Sequence, residues 1–299
     1  MNKTTRKNKN TLVHDIINNL WYSYNDIVWK QLNKNDLINI FGSKKEILSN
    51  IDTFINPSII NSFNTNSHII IFENTAYNLK TSKCQQLSYK DNMTLLINYN
   101  LDPLAKQTYT NTIIDFLNYH IKDKHLYILL KYLASSLCYE NDYERLLVLV
   151  TDDVKVTDNI LKLLEVTFGD YFANISDTLL TQNKHKFENI KHKRLINVIP
   201  KVKRKYTLEK TVAITDNDSI INKKCRPVNG TYRQSFKCIM VTESMDIFDD
   251  DETLLQQKLV IINVKNKLKN NIHDIELWKN EFMLILLNYY DIYKKEGLF

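Results

Sequence analysis

The chain has 299 residues, of which 43% are hydrophobic and 25% are charged, which is enough for one large domain or two modest ones with an apolar core. It contains no run of 18 apolar residues, so we expect no membrane span. The formal net charge is +6, a mild excess that is compatible with a nucleic-acid partner but does not by itself indicate one.

The first half of the chain predicts mostly helices. Residues 1–66, which include the Trp-rich segment LWYSYNDIVWKQLNKNDLINIF at 20–41, are predicted to be mainly helical. Residues 68–79, HIIIFENTAYNL, predict a strand, a turn and a second strand. Residues 104–139 place apolar side chains at helical spacing and therefore predict helices.

The second half predicts an α/β unit. Five short apolar runs, rich in β-branched residues, are typical of strands that are buried on both faces; they lie at 146–150, 195–199, 211–214, 236–241 and 259–264. A helix predicted at about 158–168 separates the first two runs, and the segment 272–299 is also predicted to be helical. This arrangement indicates a largely parallel sheet with helical flanks.

The cysteine and histidine patterns argue against a structural metal. The four cysteines, Cys84, Cys138, Cys225 and Cys238, show no C-x-x-C spacing, and the seven histidines form no H-E-x-x-H motif. Zinc sites use such close ligand pairs, so we expect no metal site. Unpatterned cysteines indicate a reducing, intracellular compartment.

The segment between the first strand of this unit and its helix has the position of a phosphate-binding loop but not the composition. Such a loop needs G-x-x-x-x-G-K-S/T, in which the glycines allow positive φ, the lysine adds charge and the hydroxyl holds Mg²⁺. Residues 151–158, TDDVKVTD, contain no glycine, and the carboxylates of Asp152, Asp153 and Asp158 would repel an anion. We therefore expect no phosphate binding; the alternative is that Lys155 replaces the missing lysine.

Six segments of the chain, taken in order, carry a resemblance to a known family. They are Trp21-Tyr22 with Trp29, FENTAYNLKT at 72–81, ISDTLLTQNK at 175–184 after FGDY, KRLINVI at 193–199, TDNDSIINKKC at 215–225 and ELWKNEFMLILLNYYDIYKKEGL at 276–298. Over nearly the whole chain they resemble the helicase half of the primase–helicases of large DNA viruses, the poxvirus-type superfamily 3 helicases, which are AAA+ ATPases. The second segment resembles the family's N-G-v-x-D-L-k-T block, the fourth its Walker B strand and the fifth its T-G-G-D-x-I-x-x-R block.

The resemblance implies a fold and a division of the chain into four parts. It implies an AAA+-like P-loop NTPase sheet domain, preceded by a helical collar and followed by a C-terminal helical tail. The four parts are a mainly helical region at 1–66, a β-hairpin and helical collar at 67–141, the sheet domain at 142–265 and the tail at 266–299.

The resemblance also places the nucleotide site, and the positions that would touch ATP depart from the family's pattern. When the chain is aligned on FGDY, the glycine falls at Val156, the catalytic lysine at Thr157 and the Ser or Thr at Asp158. The Walker B acid, the sensor asparagine and the arginine-finger pair fall at Pro200, at Glu243 and at Gln257 and Lys258. The degenerate site also includes Thr151, where the loop begins. Such losses together imply no catalytic residues and no bound nucleotide, cofactor or metal.

Basic charge is concentrated in one segment of the chain. Residues 184–226 contain 13 Lys and Arg against 4 Asp and Glu. In the family, DNA-contacting elements lie between the Walker B and sensor strands, so the resemblance implies sequence-independent DNA contacts in this segment. The candidate contacts are Lys203, Arg204, Lys205, Lys223, Lys224 and Arg226. A solvated basic face is the alternative that the residues leave open.

Two other clusters have an ordinary structural interpretation beside a functional one. The aromatic residues Trp21, Tyr22, Tyr24 and Trp29 have the chemistry to stack on nucleic-acid bases, but clusters of this kind more often form a core. The acidic run Asp246–Glu252 lacks the ligand spacing of a calcium loop and predicts a solvated loop.

These features predict a non-catalytic, helicase-like protein of viral or virus-derived DNA replication. Its expected partners are single-stranded or duplex DNA, bound without sequence preference, or an active viral helicase or other replication protein that it joins as an accessory subunit, in a homo- or hetero-oligomer. Two alternatives stay open. One is an active ATPase of the superfamily 3 type with atypical motifs, and the other is a structural or regulatory protein that uses neither DNA nor ATP.

Overall fold

The computed structural model describes residues 11–105, 107–138, 140, 143–177, 190, 192–200, 205–207, 215, 236–248, 257–265 and 274–299. The chain divides into two compact units, Met1–Leu101 and Asp102–Phe299. None of the helices in the described ranges combines the length and the apolar character that a membrane crossing needs. The division into four parts stays a prediction.

The first unit begins with an antiparallel sheet of three short strands. β1 (Leu12–Asp15) pairs with β2 (Leu20–Tyr24), which pairs in turn with β3 (Trp29–Leu32). For these residues the prediction of helix is wrong, because tight turns interrupt the segment. Asn19 and Asp26 adopt positive φ, at 53° and 71°, a backbone conformation that turns accept and helices exclude.

Three short helices follow this sheet: α1 (Lys34–Phe41), α2 (Lys44–Asn50) and α3 (Pro57–Asn61). The first starts at a capping box. The side chain of Asn33 accepts the backbone N–H of Asp36 at 3.0 Å, and the carboxylate of Asp36 accepts the backbone N–H of Asn33 at 2.9 Å. Two otherwise unpaired donors are satisfied reciprocally in this way, so the helix predicted within the Trp-rich segment forms only after Asn33.

The tryptophans of the first unit lie in its core. Trp21 is 4% exposed and Trp29 is 1% exposed. Trp21 packs against Phe41 and Phe54, and Trp29 packs against Phe63. The core interpretation of these two tryptophans is confirmed, since neither ring presents a face on which a base could stack.

A second antiparallel sheet completes the first unit. β4 (Ile69–Ile71) and β5 (Ala76–Asn78) form the strand–turn–strand predicted at 68–79. β6 (Lys83–Gln85) pairs with the other side of β5. The sequence did not predict β6, because a polar and largely exposed strand of three residues carries no apolar alternation.

Five parallel strands form the sheet of the second unit, in the order β11-β7-β10-β9-β8. They are β7 (Leu146–Val150), β8 (Phe172–Ser176), β9 (Leu195–Ile199), β10 (Lys237–Thr242) and β11 (Leu259–Asn263). Four of them confirm predicted apolar runs, and the run at 211–214 lies outside the described residues. β8 was not predicted, because it is an edge strand whose exposed Asn174 and Ser176 interrupt the apolar pattern.

The strand order determines which loop occupies the usual ligand position. The chain passes from β7 to the edge at β8, returns through β9 to β10, and then crosses β7 to reach β11. The strand order thus runs in one direction from β7 to β8 and in the opposite direction from β8 to β11. The carboxyl end of β7 is therefore the switch point, where ligands bind in open parallel sheets.

Four longer helices accompany this sheet: α4 (Thr110–His120), α5 (Asp123–Ser135), α6 (Val154–Phe168) and α7 (Lys279–Glu296). They confirm the helices predicted from the apolar spacing, although α6 begins before the predicted start at 158. α7 packs against the other three helices. The α/β class with a parallel sheet is confirmed, whereas the roles of these helices as collar and tail stay predictions.

Candidate functional site

The candidate site is the carboxyl edge of the parallel sheet, where the segments after β7, β10 and β11 are tied together. The backbone N–H of Thr151 donates to the carbonyl oxygen of Thr242 at 2.9 Å, and the N–H of Val264 donates to the carbonyl oxygen of Val150 at 2.8 Å. These bonds continue the sheet ladder past the ends of the strands. The loop after β7 is therefore held on both sides.

The loop between β7 and α6 has only three residues, Thr151, Asp152 and Asp153. The hydroxyl oxygen of Thr151 accepts the backbone N–H of Asp153 at 3.1 Å and lies 3.2 Å from the carbonyl oxygen of Asp153. A turn closed by its own side chain leaves no room for the wide, glycine-rich wrap that cradles a phosphate. Because α6 starts at Val154, directly after these three residues, no further residues are available to widen the loop.

A carboxylate of the chain itself occupies the amino end of α6. Asp153 is the N-cap residue, and its Oδ1 atom accepts the backbone N–H of Lys155 at 3.0 Å. A helix amino end attracts anions because its first N–H groups have no partner within the helix and carry partial positive charge. Here an internal anion already uses that position, and Asp152 lies exposed beside it.

The positions matched to the phosphate-loop glycine and lysine face the protein interior. Val156 and Thr157 lie in the first turn and a half of α6, and both are fully buried. The backbone N–H of Val156 donates to the carbonyl oxygen of Asp153 at 3.3 Å, so this donor is also in use. Asp158, matched to the Mg²⁺-binding hydroxyl, and Lys155 are exposed.

The remaining predicted site residues lie at two opposite ends of the sheet. Pro200 directly follows β9 and the exposed Glu243 directly follows β10, so both reach the same carboxyl edge as Thr151. Gln257 and Lys258 directly precede β11 and lie at the amino edge, where Lys258 pairs with Glu144 at 3.2 Å. Within one chain, the structure therefore does not bring the arginine-finger positions to the loop.

The segment after β10 is closed by turns of its own. The hydroxyl of Thr242 donates to the carbonyl oxygen of Ser244 at 2.8 Å, and the hydroxyl oxygen of Ser244 accepts the backbone N–H of Asp246 at 3.1 Å. Asp246 is exposed, whereas the other acidic residues of the predicted loop, at 249–252, lie outside the described residues. The hydroxyl groups of Thr242 and Ser244, like that of Thr151 after β7, are thus engaged within the chain.

A buried polar pair, missed from the sequence, joins the segments after β8 and β9. Asp177 follows β8 directly and is 2% exposed. Its Oδ2 atom accepts a hydrogen bond from the hydroxyl of Tyr206 at 2.7 Å, and the backbone N–H of Tyr206 donates to the carbonyl oxygen of Ile247 at 2.7 Å. The sequence carried no signal for this pair, because β8, the strand that Asp177 follows, was itself not predicted.

The candidate DNA contacts fall mostly outside the described residues. Of the six, only Lys205 is described; it is exposed and directly precedes the buried Tyr206. The structure therefore supplies no geometry for Lys203, Arg204, Lys223, Lys224 or Arg226. The DNA interface stays a prediction from charge and resemblance.

Two cations within the same basic segment are bonded to backbone carbonyl groups. Arg194 is buried; its guanidinium donates to the carbonyl oxygen of Leu137 and lies 4.7 Å above the ring of Tyr171. Burial lowers the pKa of the Lys193 ammonium, whose Nζ donates to the carbonyl oxygen of Asp170. Neither side chain is a free surface cation, so the charge count overstates the basic surface of this segment.

Comparison with known proteins identifies a viral relative. No protein-family profile matches the chain. A candidate helicase of Acanthamoeba polyphaga mimivirus is 24% identical over 306 aligned positions, which cover 91% of this chain and 31% of the relative. The chain is thus similar to a helicase-like viral protein and spans about a third of its length.

The solved structures that the chain resembles include the apo C-terminal region of NrS-1. One such structure matches with a TM-score of 0.54 and 14% identity, and another matches with a TM-score of 0.54 and 13% identity. Each match covers 93% of this chain and 65% of the solved chain. At this identity the likeness is one of fold.

Proposed function

We propose that the protein is a non-catalytic, helicase-like component of viral or virus-derived DNA replication, of the superfamily 3 type, that binds DNA or an active helicase as an accessory subunit. The similarity to a viral helicase-like protein supports the replication context, and the five-stranded parallel sheet supports descent from a nucleotide-binding fold. The activity of the much longer relative does not by itself transfer to this chain.

The observation that carries the non-catalytic part of the proposal is the Asp153 cap. A phosphate that approached the amino end of α6 would meet a carboxylate already bonded to the N–H of Lys155 at 3.0 Å. Each nearby carboxylate would add repulsion on the order of 1 kcal/mol to a bound phosphate, even at a high effective dielectric. With Thr157 buried, the matched position also offers no side chain to neutralise the phosphates.

The DNA-binding part of the proposal is supported by charge. The segment 184–226 retains a large basic excess after Arg194 is set aside as an interior cation. Backbone contacts of Lys and Arg with phosphates bind DNA without reading its sequence. An accessory subunit of this kind would hold or position a strand while a catalytic partner supplies ATP hydrolysis.

The test measures nucleotide and DNA binding on one purified sample. We expect no binding of Mg-ATP in the micromolar range by calorimetry, together with weak, salt-sensitive binding of an oligothymidine strand by fluorescence anisotropy. Failure to bind DNA as well would favour the structural or regulatory alternative. Tight ATP binding would overturn the non-catalytic proposal.

A second candidate, an atypical ATPase, is favoured by the position of Lys155. Its side chain is exposed at the second residue of α6, next to the loop. The discriminating variant is Lys155→Ala, with Lys162→Ala on the same helix as the matched control, because both lysines are exposed. ATP binding that is lost only in Lys155→Ala would make Lys155 the replacement for the missing lysine.

A further inference from the structure

The hydrogen-bond partner of each carbonyl group at the carboxyl end of α5 can be identified. The last four carbonyl groups of a helix have no partner within it. Those of Tyr132 and Leu133 both accept the backbone N–H of Ser136, at 3.3 and 3.1 Å, and that of Ala134 accepts the N–H of Leu137 at 3.0 Å. The carbonyl oxygen of the fourth residue needs a partner from elsewhere in the fold.

That partner is the first residue of β10. Lys237 is 3% exposed, and its Nζ atom donates to the carbonyl oxygen of Ser135 at 3.2 Å and to that of Glu140 at 2.6 Å. Arg194, which immediately precedes β9, donates to the carbonyl oxygen of Leu137. Two cations from neighbouring strands thus meet the negative end of one helix, where positive charge is favoured.

A third contact joins the same helix to the same edge of the sheet. The hydroxyl of Tyr132 lies 2.7 Å from the carbonyl oxygen of Cys238 in β10 and 2.8 Å from that of Arg145, which immediately precedes β7. Burial raises the pKa of this hydroxyl well above its ordinary value, so it stays protonated and able to donate. The helix end is therefore held at β7, β9 and β10.

We propose that Lys237 and Arg194 form a cation clamp that joins α5 to the amino edge of the sheet, so that helix and sheet open as one cooperative unit. A buried ammonium or guanidinium group that is separated from its acceptors is left as an uncompensated buried charge, which is costly, and the carbonyls that it satisfied would be left unpaired. The helix is then an extension of the sheet rather than a mobile module. This inference does not depend on nucleotide or DNA binding.

The experiment is hydrogen exchange followed by mass spectrometry on the full chain. In Lys237→Met, we expect amides at Leu133–Leu137, in the last turn of α5 and directly after it, to exchange about 10-fold faster, the size that loss of one or two charge-assisted hydrogen bonds predicts. Amides of β7 and α7 are expected to change much less. Lys237→Arg should restore protection, and Lys258→Met, at the same edge of the sheet, is the matched control.

Two outcomes would overturn the clamp. One is unchanged exchange in Lys237→Met, and the other is an equal increase across Asp102–Phe299, which would mean a general contribution to folding. If Lys237→Met does not fold, hydrogen exchange of the unaltered protein is measured at increasing denaturant concentrations, and this measurement tests the clamp instead. The clamp requires α5 and β10 amides to share one opening free energy, and separate opening of α5 would contradict it.

Discussion

The Oδ1 atom of Asp153 accepts the backbone N–H of Lys155 at 3.0 Å, which places a side-chain carboxyl group at the amino end of α6. The sequence has three aspartates in the segment where phosphate loops have glycine, and the structure shows the structural role of one of them. Asp153 starts the helix. The same side chain that stabilises the fold also fills the place that a phosphate would need.

Replacement of this cap measures its contribution to stability. Asp153→Ala is expected to lower the free energy of unfolding by about 1 kcal/mol, the typical value of a lost N-cap, while Asp153→Asn should cost little because Asn caps nearly as well. Urea unfolding checks both variants. Asp158→Ala, an exposed aspartate on the same helix, is the matched control, and an equal loss in that variant would argue against a capping role.

The position matched to the catalytic lysine tests both the packing of α6 and the absence of a nucleotide site, because a lysine at that position is expected to destabilise the fold. Thr157 is fully buried on α6. Thr157→Lys would bury an ammonium group without a designed partner, which is expected to destabilise the fold by about 3 kcal/mol or more and to restore no ATP binding. The exposed substitution Asp158→Lys should be nearly neutral. A Thr157→Lys protein of unaltered stability would contradict the packing of α6.

The parts of the fold that the sequence predicted are those with local signals. Runs such as Leu146–Val150 are short, apolar and bounded by polar residues, a pattern that is typical of buried strands. The segment Leu20–Leu32 was misassigned because aromatic residues at close spacing fit a strand and a helix equally well. Asn19 and Asp26 adopt positive φ and thereby form turns between the strands. In the sequence, however, Asn and Asp occur in helices as well as in turns, so they did not identify these turns.

The parts of the site that the sequence missed depend on contacts between distant residues. Asp177 and Tyr206 are 29 positions apart, and only the pairing of β8 with β9 brings them together. From the sequence, Arg194 and Lys237 would be predicted to lie on the surface, since buried cations are rare. Their burial is explained only by the carbonyl groups at and after the end of α5 to which they donate. The acidic composition of the loop after β7 was visible in the sequence, but the start of α6 at Val154 was not.

A cluster of three side chains between α5 and α7 predicts a dependence of stability on pH. The hydroxyl of Tyr127 donates to Glu296 at 2.6 Å, and Lys131 lies 3.5 Å from the same carboxylate. The hydrogen bond from Tyr127 and the charge of Lys131 lower the pKa of Glu296 below its ordinary value of 4.5. A carboxylate with a lowered pKa stabilises the fold above its unfolded pKa, and this stabilisation is lost as pH falls through the folded value.

The corresponding measurement compares the protein with Glu296→Gln across pH. The difference in thermal midpoint should be full at neutral pH, should shrink as pH falls past the ordinary pKa of a glutamate, and should disappear below the lowered pKa that Glu296 has in the folded protein, where both proteins are uncharged at this position. Tyr127→Phe removes the main cause of the pKa shift and should reduce the pH-dependent part of the difference. A difference that is the same at all pH values would mean that Glu296 acts by packing alone.

The DNA proposal predicts a specific change in the dependence of binding on salt. Replacement of Lys203, Arg204, Lys205, Lys223, Lys224 and Arg226 by Ala should weaken binding of an oligothymidine strand and should flatten the plot of log affinity against log salt. Each phosphate contact that is lost lowers the slope by about 0.7 for a single strand. The matched control replaces six exposed lysines of the first unit, Lys30, Lys34, Lys44, Lys45, Lys80 and Lys83, and therefore removes the same total charge. If both variants lose affinity and slope equally, the segment 184–226 contributes only net charge, and the interface proposed for it is wrong.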